Sequence, residues 1–276
     1  MLKDCLPKEQ YREECPKCRR AKKHCLCSYI RPFNPPFRFV ILMSVAEYKY
    51  QRTGSGLLAH LTLQNSEIIT GNDFTDDKKI NAIINDSNAA KLILYPGKHA
   101  LTFAKLAASQ ATACGKSERI ASDSSASNDD LTDSLSDDAN LRQLKAALEG
   151  KMPLYIFVID GTWRGARSMM FHSQNLKKLQ CISFEHSYLS NFRIKKQPEK
   201  HCVSTIESIY YLLKEAEENG IIPQCGEKEA LLDIFNRMVE IQLGYSRQHH
   251  HRREDNPKVR EKLLMKEELR KKNRAK

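Results

Sequence analysis

Long apolar runs are scarce in this chain of 276 residues. A membrane-spanning helix needs about 20 consecutive apolar residues, whereas the longest strongly apolar run, Leu154-Tyr155-Ile156-Phe157-Val158-Ile159, suits a buried strand. The first residues, Met1-Leu2-Lys3-Asp4-Cys5-Leu6-Pro7-Lys8, also lack the uninterrupted apolar segment of a secretory signal. The expectation is a soluble intracellular protein, cytoplasmic or nuclear, with no membrane partner. Thiols stay reduced there, so the nine cysteines do not imply a disulfide framework; metal binding, burial or catalysis must account for them. No internal repeat is found. Thr53-Gly54-Ser55-Gly56 is glycine-rich and precedes a helix, but it lacks the lysine and spacing of a Walker loop, which leaves ATP hydrolysis unsupported.

Acidic charge is in deficit: 45 Lys and Arg stand against 34 Asp and Glu, a formal net charge of +11. Such an excess attracts polyanions. Nucleic acid is the leading partner, although a ribosome-associated structural protein or a membrane-surface protein would show the same balance. The length allows one sizeable α/β domain with appendages, or two small domains.

The chain divides into an aliphatic-poor module at 1–34, an α/β domain at 35–245 and a charged basic tail at 246–276. Within the domain, Phe39 to Met43, Ile68-Ile69, Leu92 to Tyr95, Leu154 to Ile159 and Cys181 to Phe184 suit buried strands. Helical stretches alternate with them, including Leu57 to Leu63, a segment ending near Met170, Ile209 to Glu217 and Lys228 to Leu243. That alternation favours a parallel sheet flanked by helices. Residues 115–140, rich in Ser, Asp and Asn, cannot recover the entropy lost on ordering and read as a disordered insertion. The tail, with His249-His250-His251, reads as a solvated helix or a disordered arm.

The first 31 residues cannot build a hydrophobic core of their own and need a staple. Cys15, Cys18, Cys25 and Cys27 lie within thirteen positions, close enough to converge on one tetrahedral ion. Zinc is the natural occupant: thiolates bind Zn2+ well, and a four-sulfur site is closed to substrate and therefore structural. The alternative is a set of free thiols on a flexible arm. Arg19 and Arg20 beside the cluster would display positive charge to phosphates.

Asp160 follows the strongest strand and precedes a helix, so it sits at the carboxyl end of a buried strand, where ligands bind in open α/β sheets. Gly161 permits close backbone approach, Thr162 can donate or accept, and Trp163 offers an aromatic face and an indole N–H. The structural alternative is that Asp160 caps the helix while Trp163 fills the core. Pro96-Gly97 reads as a turn after a strand. Ser204-Thr205-Ile206-Glu207 resembles a capping box. Arg193, Lys195 and Lys196 form either a solvated charged stretch or a set of phosphate contacts.

Taken in order, these blocks resemble the DTW-domain family, named for an Asp-x-Thr-Trp motif that here reads Asp160-Gly161-Thr162-Trp163. The resemblance runs from about Cys15 to Tyr211 through the cysteine cluster, Glu47 with Thr53-Gly54, Pro96-Gly97, the segment from Asp160 to Arg167, Lys196-Gln197-Pro198 and Ser204 to Glu207. Each block is unspecific alone; their succession is specific. Ser44-Val45 stands where the family often has His-Pro, and Arg52 where an Asn often precedes Thr-Gly.

The resemblance implies a fold similar to SPOUT-type RNA methyltransferases. The implied activity is transfer of the 3-amino-3-carboxypropyl group of S-adenosylmethionine to a transfer RNA uridine, with no DNA partner. It implies Asp160 as general base. It also implies cofactor contacts from Thr53, Gly54, Pro96, Gly97, Gly161, Thr162, Trp163, Ser204, Thr205 and Glu207, the last either anchoring the cofactor's amino group or bracing a loop. Two rival readings share these residues: a SPOUT-like methyltransferase, and a non-catalytic zinc-containing RNA-binding protein.

Overall fold

The computed structural model describes residues 13–51, 53–97, 99–113, 140–194, 202–224 and 226–254. The alternation read from the sequence becomes one sheet of five strands in the order β2-β1-β4-β3-β5. These are β1 (Arg38–Met43), β2 (Ser66–Thr70), β3 (Ala90–Leu94), β4 (Leu154–Asp160) and β5 (Gln180–Ile182). Every pairing is parallel. Parallel strands need crossovers, and helices supply them. They are α1 (Val45–Tyr50), α2 (Ser55–Thr62), α3 (Lys78–Asn85), α4 (Phe103–Ala113), α5 (140–148), α6 (Trp163–His172), α7 (Thr205–Glu218) and α8 (Glu229–Glu254).

Helices cover both faces of the sheet, which explains why the strands read as continuous apolar runs rather than alternating ones. The side-chain period of two still sorts each strand between two cores. Phe39 and Ile41 of β1 and Ile156 and Val158 of β4 join a large core with α2, α4, α5, α7 and α8. Val40, Leu42 and Phe157 face a smaller core with Ile80 of α3 and Met169 of α6. β4 lies between β1 and β3, so its carboxyl end opens at the middle of the sheet.

The cysteine segment is not self-sufficient. It contains an antiparallel bridge between Glu14 and Ala21 and short turns at Lys22–His24 and Cys27–Tyr29. Its buried Leu26 enters the large core of the main domain. His24 meets Tyr245 of α8 edge to face, with ring centroids 4.3 Å apart. Helix α8 also passes through the expected boundary at 245, so the start of the basic tail, to Glu254, is helical. The expected insertion at 115–140 lies outside the described residues except for Asn140, where α5 begins. Among the described residues, no helix is long and apolar enough to cross a membrane.

The strand order makes a stability prediction. Ile41 of the interior strand β1 is fully buried, while its register partner Ile68 on the edge strand β2 is only half-buried. Ile41→Ala is expected to cost about 2–5 kcal/mol, and Ile68→Ala clearly less. Urea denaturation of both variants checks this; equal losses would contradict the placement of β2 at the edge.

Candidate functional site

A cavity of about 820 Å³ opens at the carboxyl ends of the strands, where open α/β sheets bind ligands. Its walls come from Glu47 of α1 and Gln51 just after it, the end of β3 (Leu94) with Tyr95 and Pro96, the passage from β4 into α6 (Val158 to Arg164), the segment after β5 (Ser183, Phe184 and His186 to Tyr188) and the approach to α7 (Cys202 to Thr205). Segments distant in sequence meet here because each follows the same end of a parallel strand or opens a helix beside it.

Asp160 ends β4 and is only 2 % exposed. The Thr205 hydroxyl donates to its Oδ1 at 2.5 Å, and the Ser44 backbone N–H donates to its carbonyl at 2.9 Å. Gly56, in the first turn of α2, lies directly against the carboxylate. A Cβ there would stand 2.4 Å from Oδ2 and 2.9 Å from Oδ1, so only glycine lets the helix come this close. Thr205 is the first residue of α7. The amino ends of two helices therefore converge on Asp160, and their partial positive charge favours an anion between them.

The neighbouring motif residues divide the remaining tasks. Thr162, not Asp160, caps α6: its side chain accepts from the Gly165 N–H at 3.1 Å. Trp163 is 39 % exposed on the cavity wall and does not fill the core. Ser44 caps α1, accepting from the N–H of the buried Glu47 at 3.2 Å. The expected capping box at Ser204 and Glu207 is present.

Two glutamates of α7, two turns apart on one face, hold the segment that follows β5. Glu207 is 1 % exposed and accepts from the Ser190 hydroxyl (2.7 Å), the Asn191 N–H (2.7 Å), the Ser204 N–H (2.8 Å) and the Ser204 hydroxyl (2.6 Å). Glu215 is fully buried and accepts from the N–H groups of Glu185 (2.9 Å) and His186 (3.2 Å) and from the Tyr188 hydroxyl (3.0 Å). Burial, with Glu215 second, pushes the Tyr188 phenol above its ordinary value. The Tyr188 ring stacks on Tyr211 at 3.8 Å and 6°. A buried carboxylate is tolerable only when its oxygens are bonded, and here the partners are the loop that walls the cavity.

Of the residues expected around a cofactor, Pro96, Gly161, Thr162, Trp163, Ser204 and Thr205 line the cavity. Thr53, Gly97 and Glu207 do not; Gly54 lies behind the wall, beside a void of about 20 Å³ shared with Cys18, Arg19, Glu47 and Gln51. Arg193 is exposed, and Lys195 and Lys196 lie outside the described residues. Glu215 and Tyr188 escaped the sequence reading, and Gly56 entered it only as part of the glycine-rich stretch Thr53-Gly54-Ser55-Gly56, without its contact with Asp160. A glycine in the first turn of a helix and two glutamates eight positions apart in an amphipathic helix were the available signals.

The Sγ atoms of Cys15, Cys18, Cys25 and Cys27 all lie within 4.8 Å of one another. Cys15 and Cys27 are 3.6 Å apart, and Cys18 and Cys25 3.8 Å. Metal–thiolate bonds of about 2.3 Å give a tetrahedral edge of about 3.8 Å, so the four sulfurs fit around one ion. Backbone N–H groups of Cys18 and Lys17 lower the Cys15 thiol to about 6, whereas burial raises that of Cys27, so the fit to a metal rests on the spacing of the sulfurs.

Arg20 is buried rather than solvent-facing, and donates to the Cys18 carbonyl at 3.3 Å and toward Met238 Sδ of α8 at 3.0 Å. Arg19, at a positive φ of 57°, donates to the Tyr48 carbonyl at 2.6 Å and places its guanidinium 4.3 Å from the Tyr48 ring. Tyr48 belongs to α1, next to Glu47. The cysteine knuckle thus presses on the helix that forms one cavity wall.

Residues 12–243 match the model of the DTW domain. Among curated proteins, the tRNA-uridine aminocarboxypropyltransferase 2 of Mus musculus is 25% identical over 241 residues, covering 86% of this chain and 66% of that protein. The protein of the same name from Macaca fascicularis is 24% identical over 242 residues, with the same shares. The chain therefore spans about two thirds of the length of these relatives. No solved structure matches.

Two measurements follow from this geometry. Cys18→Ser is expected to lower bound metal to less than half an equivalent by elemental analysis and to lower the melting temperature, because a core-poor segment loses its staple. Metal content equal to wild type would exclude a metal centre here. Glu215→Ala strands three donors of the cavity wall, and is expected to cost at least about 1.5–3 kcal/mol and to accelerate amide exchange at 185–186 more than in β4.

Proposed function

Since this chain belongs to the DTW domain family, we propose that it transfers the 3-amino-3-carboxypropyl group of S-adenosylmethionine to N3 of a uridine in transfer RNA. The observation that carries this reading is Asp160, a buried carboxylate on the cavity wall within an Asp-Gly-Thr-Trp block, clasped by Thr205 and the start of α2. S-adenosylmethionine supplies an electrophilic methylene carbon beside its sulfonium. The N3–carbon bond forms as the carbon–sulfur bond breaks, methylthioadenosine leaves, and the N3 proton passes to Asp160.

The residues of the chain have separable parts in this scheme. Thr205 orients the Asp160 carboxylate through its hydroxyl. Thr162 and Trp163, held by the cap of α6, orient the amino-acid end of the donor. Glu207 braces the wall through Ser190, Asn191 and Ser204. Which of the donor's carbons reacts is a matter of positioning, since a near-attack geometry favours one among several on the same sulfonium. The formal net charge of +11 suits an RNA substrate. The cysteine cluster would hold Zn2+, because four thiolates complete its tetrahedron and leave no position for substrate; its contribution there is structural.

The test is incubation of purified protein with unmodified transfer RNA transcript and S-adenosylmethionine, followed by mass analysis of the nucleosides. An aminocarboxypropyl uridine is expected; a methylated nucleoside would overturn the proposed reaction. Asp160→Asn keeps size and a hydrogen-bonding oxygen, so the fold and donor affinity should persist while transfer falls about 10²–10⁴-fold at saturating substrates. Transfer within a few-fold of wild type would remove Asp160 from the chemistry.

A further inference from the structure

The outer face of α6 carries side chains that the core does not use. Phe171 is 69 % exposed and Trp163 39 %. They lie eight positions apart, about 12 Å along one helix face by the helical rise, with the exposed Arg167 midway and the exposed Arg164 beside Trp163. Lys177 reaches over the Phe171 ring, its Nζ 5.0 Å from the centroid. Helix α6 contains no acidic residue. Among the described residues, no carboxylate pairs with Arg164, Arg167 or Lys177. An open groove of about 540 Å³ runs along this face between Tyr95, Arg167, Phe171 and Lys177. Tyr95 also lines the main cavity, so groove and cavity adjoin.

Apolar rings exposed to solvent beside cations that have no carboxylate partner among the described residues, Lys177 donating only to Gln174 Oε1, call for a partner with flat apolar faces and negative charge. Single-stranded RNA has both: unstacked bases lie on aromatic rings while phosphates meet arginine and lysine, and such stacking is tolerant of sequence. A duplex hides its base faces and offers phosphates alone. We propose that the α6 face is the docking surface for the single-stranded nucleotides flanking the target base, with Phe171 as the remote stacking platform and Arg167 and Lys177 on the phosphates. This rests on the functional reading above and extends it by placing the RNA on one side of the cavity, along α6 and past Tyr95. A transfer RNA loop fits this requirement; its helical arms do not.

The chain contains a single tryptophan, Trp163, so its fluorescence reports on the junction of groove and cavity. The full chain is titrated with unmodified transfer RNA transcript and, separately, with a duplex RNA of similar length. The transcript should change Trp163 emission and bind more tightly than the duplex. Phe171→Ala and Arg167→Gln should each weaken transcript binding about tenfold, and Arg167→Gln should also flatten its salt dependence. Affinity for S-adenosylmethionine by calorimetry and the melting temperature should stay unchanged, which excludes unfolding as the cause.

Transcript affinity equal to wild type in both variants, or equal affinity for duplex RNA, overturns the proposal. So does capture of the wild-type chain by anionic vesicles through the same two residues in preference to RNA. If the wild-type chain modifies the transcript while both variants bind it normally, the docking surface falls and the transfer reaction stands. If the wild-type chain neither binds nor modifies the transcript, the functional reading fails and takes the docking surface with it.

Discussion

The architecture of the site depends on how a carboxylate is kept at the end of the central strand. Asp160 is 2 % exposed, and a carboxyl group so far from water needs hydrogen-bonding partners from the protein. The chain supplies a hydroxyl from the first residue of α7 and the close approach of the first turn of α2, which glycine at position 56 permits. Both helices must arrive at fixed angles for this to hold. Their packing against each other and against α8 supplies that constraint. The large apolar core thus sets the position of a single polar group.

The same economy appears in the other walls of the cavity. Glu207 and Glu215 project from α7 and bind backbone and side-chain donors of the segment after β5. That segment has little regular structure of its own, yet its shape is dictated by a rigid helix. On the opposite side the cysteine knuckle holds Arg19 against Tyr48 of α1, beside the buried Glu47. A metal held by the four thiols would therefore act at a distance, by keeping one wall in place. The two devices differ in chemistry but share a logic: loops that must be irregular to shape a pocket are fastened to elements that are not.

Much of this was legible in the residues. Strands buried on both faces must be apolar throughout, so the runs ending at Met43 and at Asp160 stand out without an alternating pattern. The capping box at Ser204 is a local hydrogen-bond pattern and reads directly. The cysteine cluster is local as well, since four thiols within thirteen positions can meet by short turns. Trp163 was harder: an apolar side chain after a buried strand suits a core position equally well, and its exposure depends on which face of α6 turns to the sheet. Arg20 likewise reads as a surface cation, and is buried because Met238, 218 positions away, packs above it.

The apolar runs, their length and their spacing determined a parallel α/β domain with a thiol-bearing knuckle, because such signals arise from neighbours in the chain and from the demand to bury hydrocarbon. The strand order that puts β4 between β1 and β3 could not be read that way. Neither could the contact of Gly56 with Asp160, nor the grip of Glu215 on the segment after β5. These join residues separated by roughly thirty to more than a hundred positions, and no local pattern of polarity encodes a long-range distance. They come into being only when the helices dock on the sheet, and it is there that a motif of ordinary residues becomes the wall of a cavity.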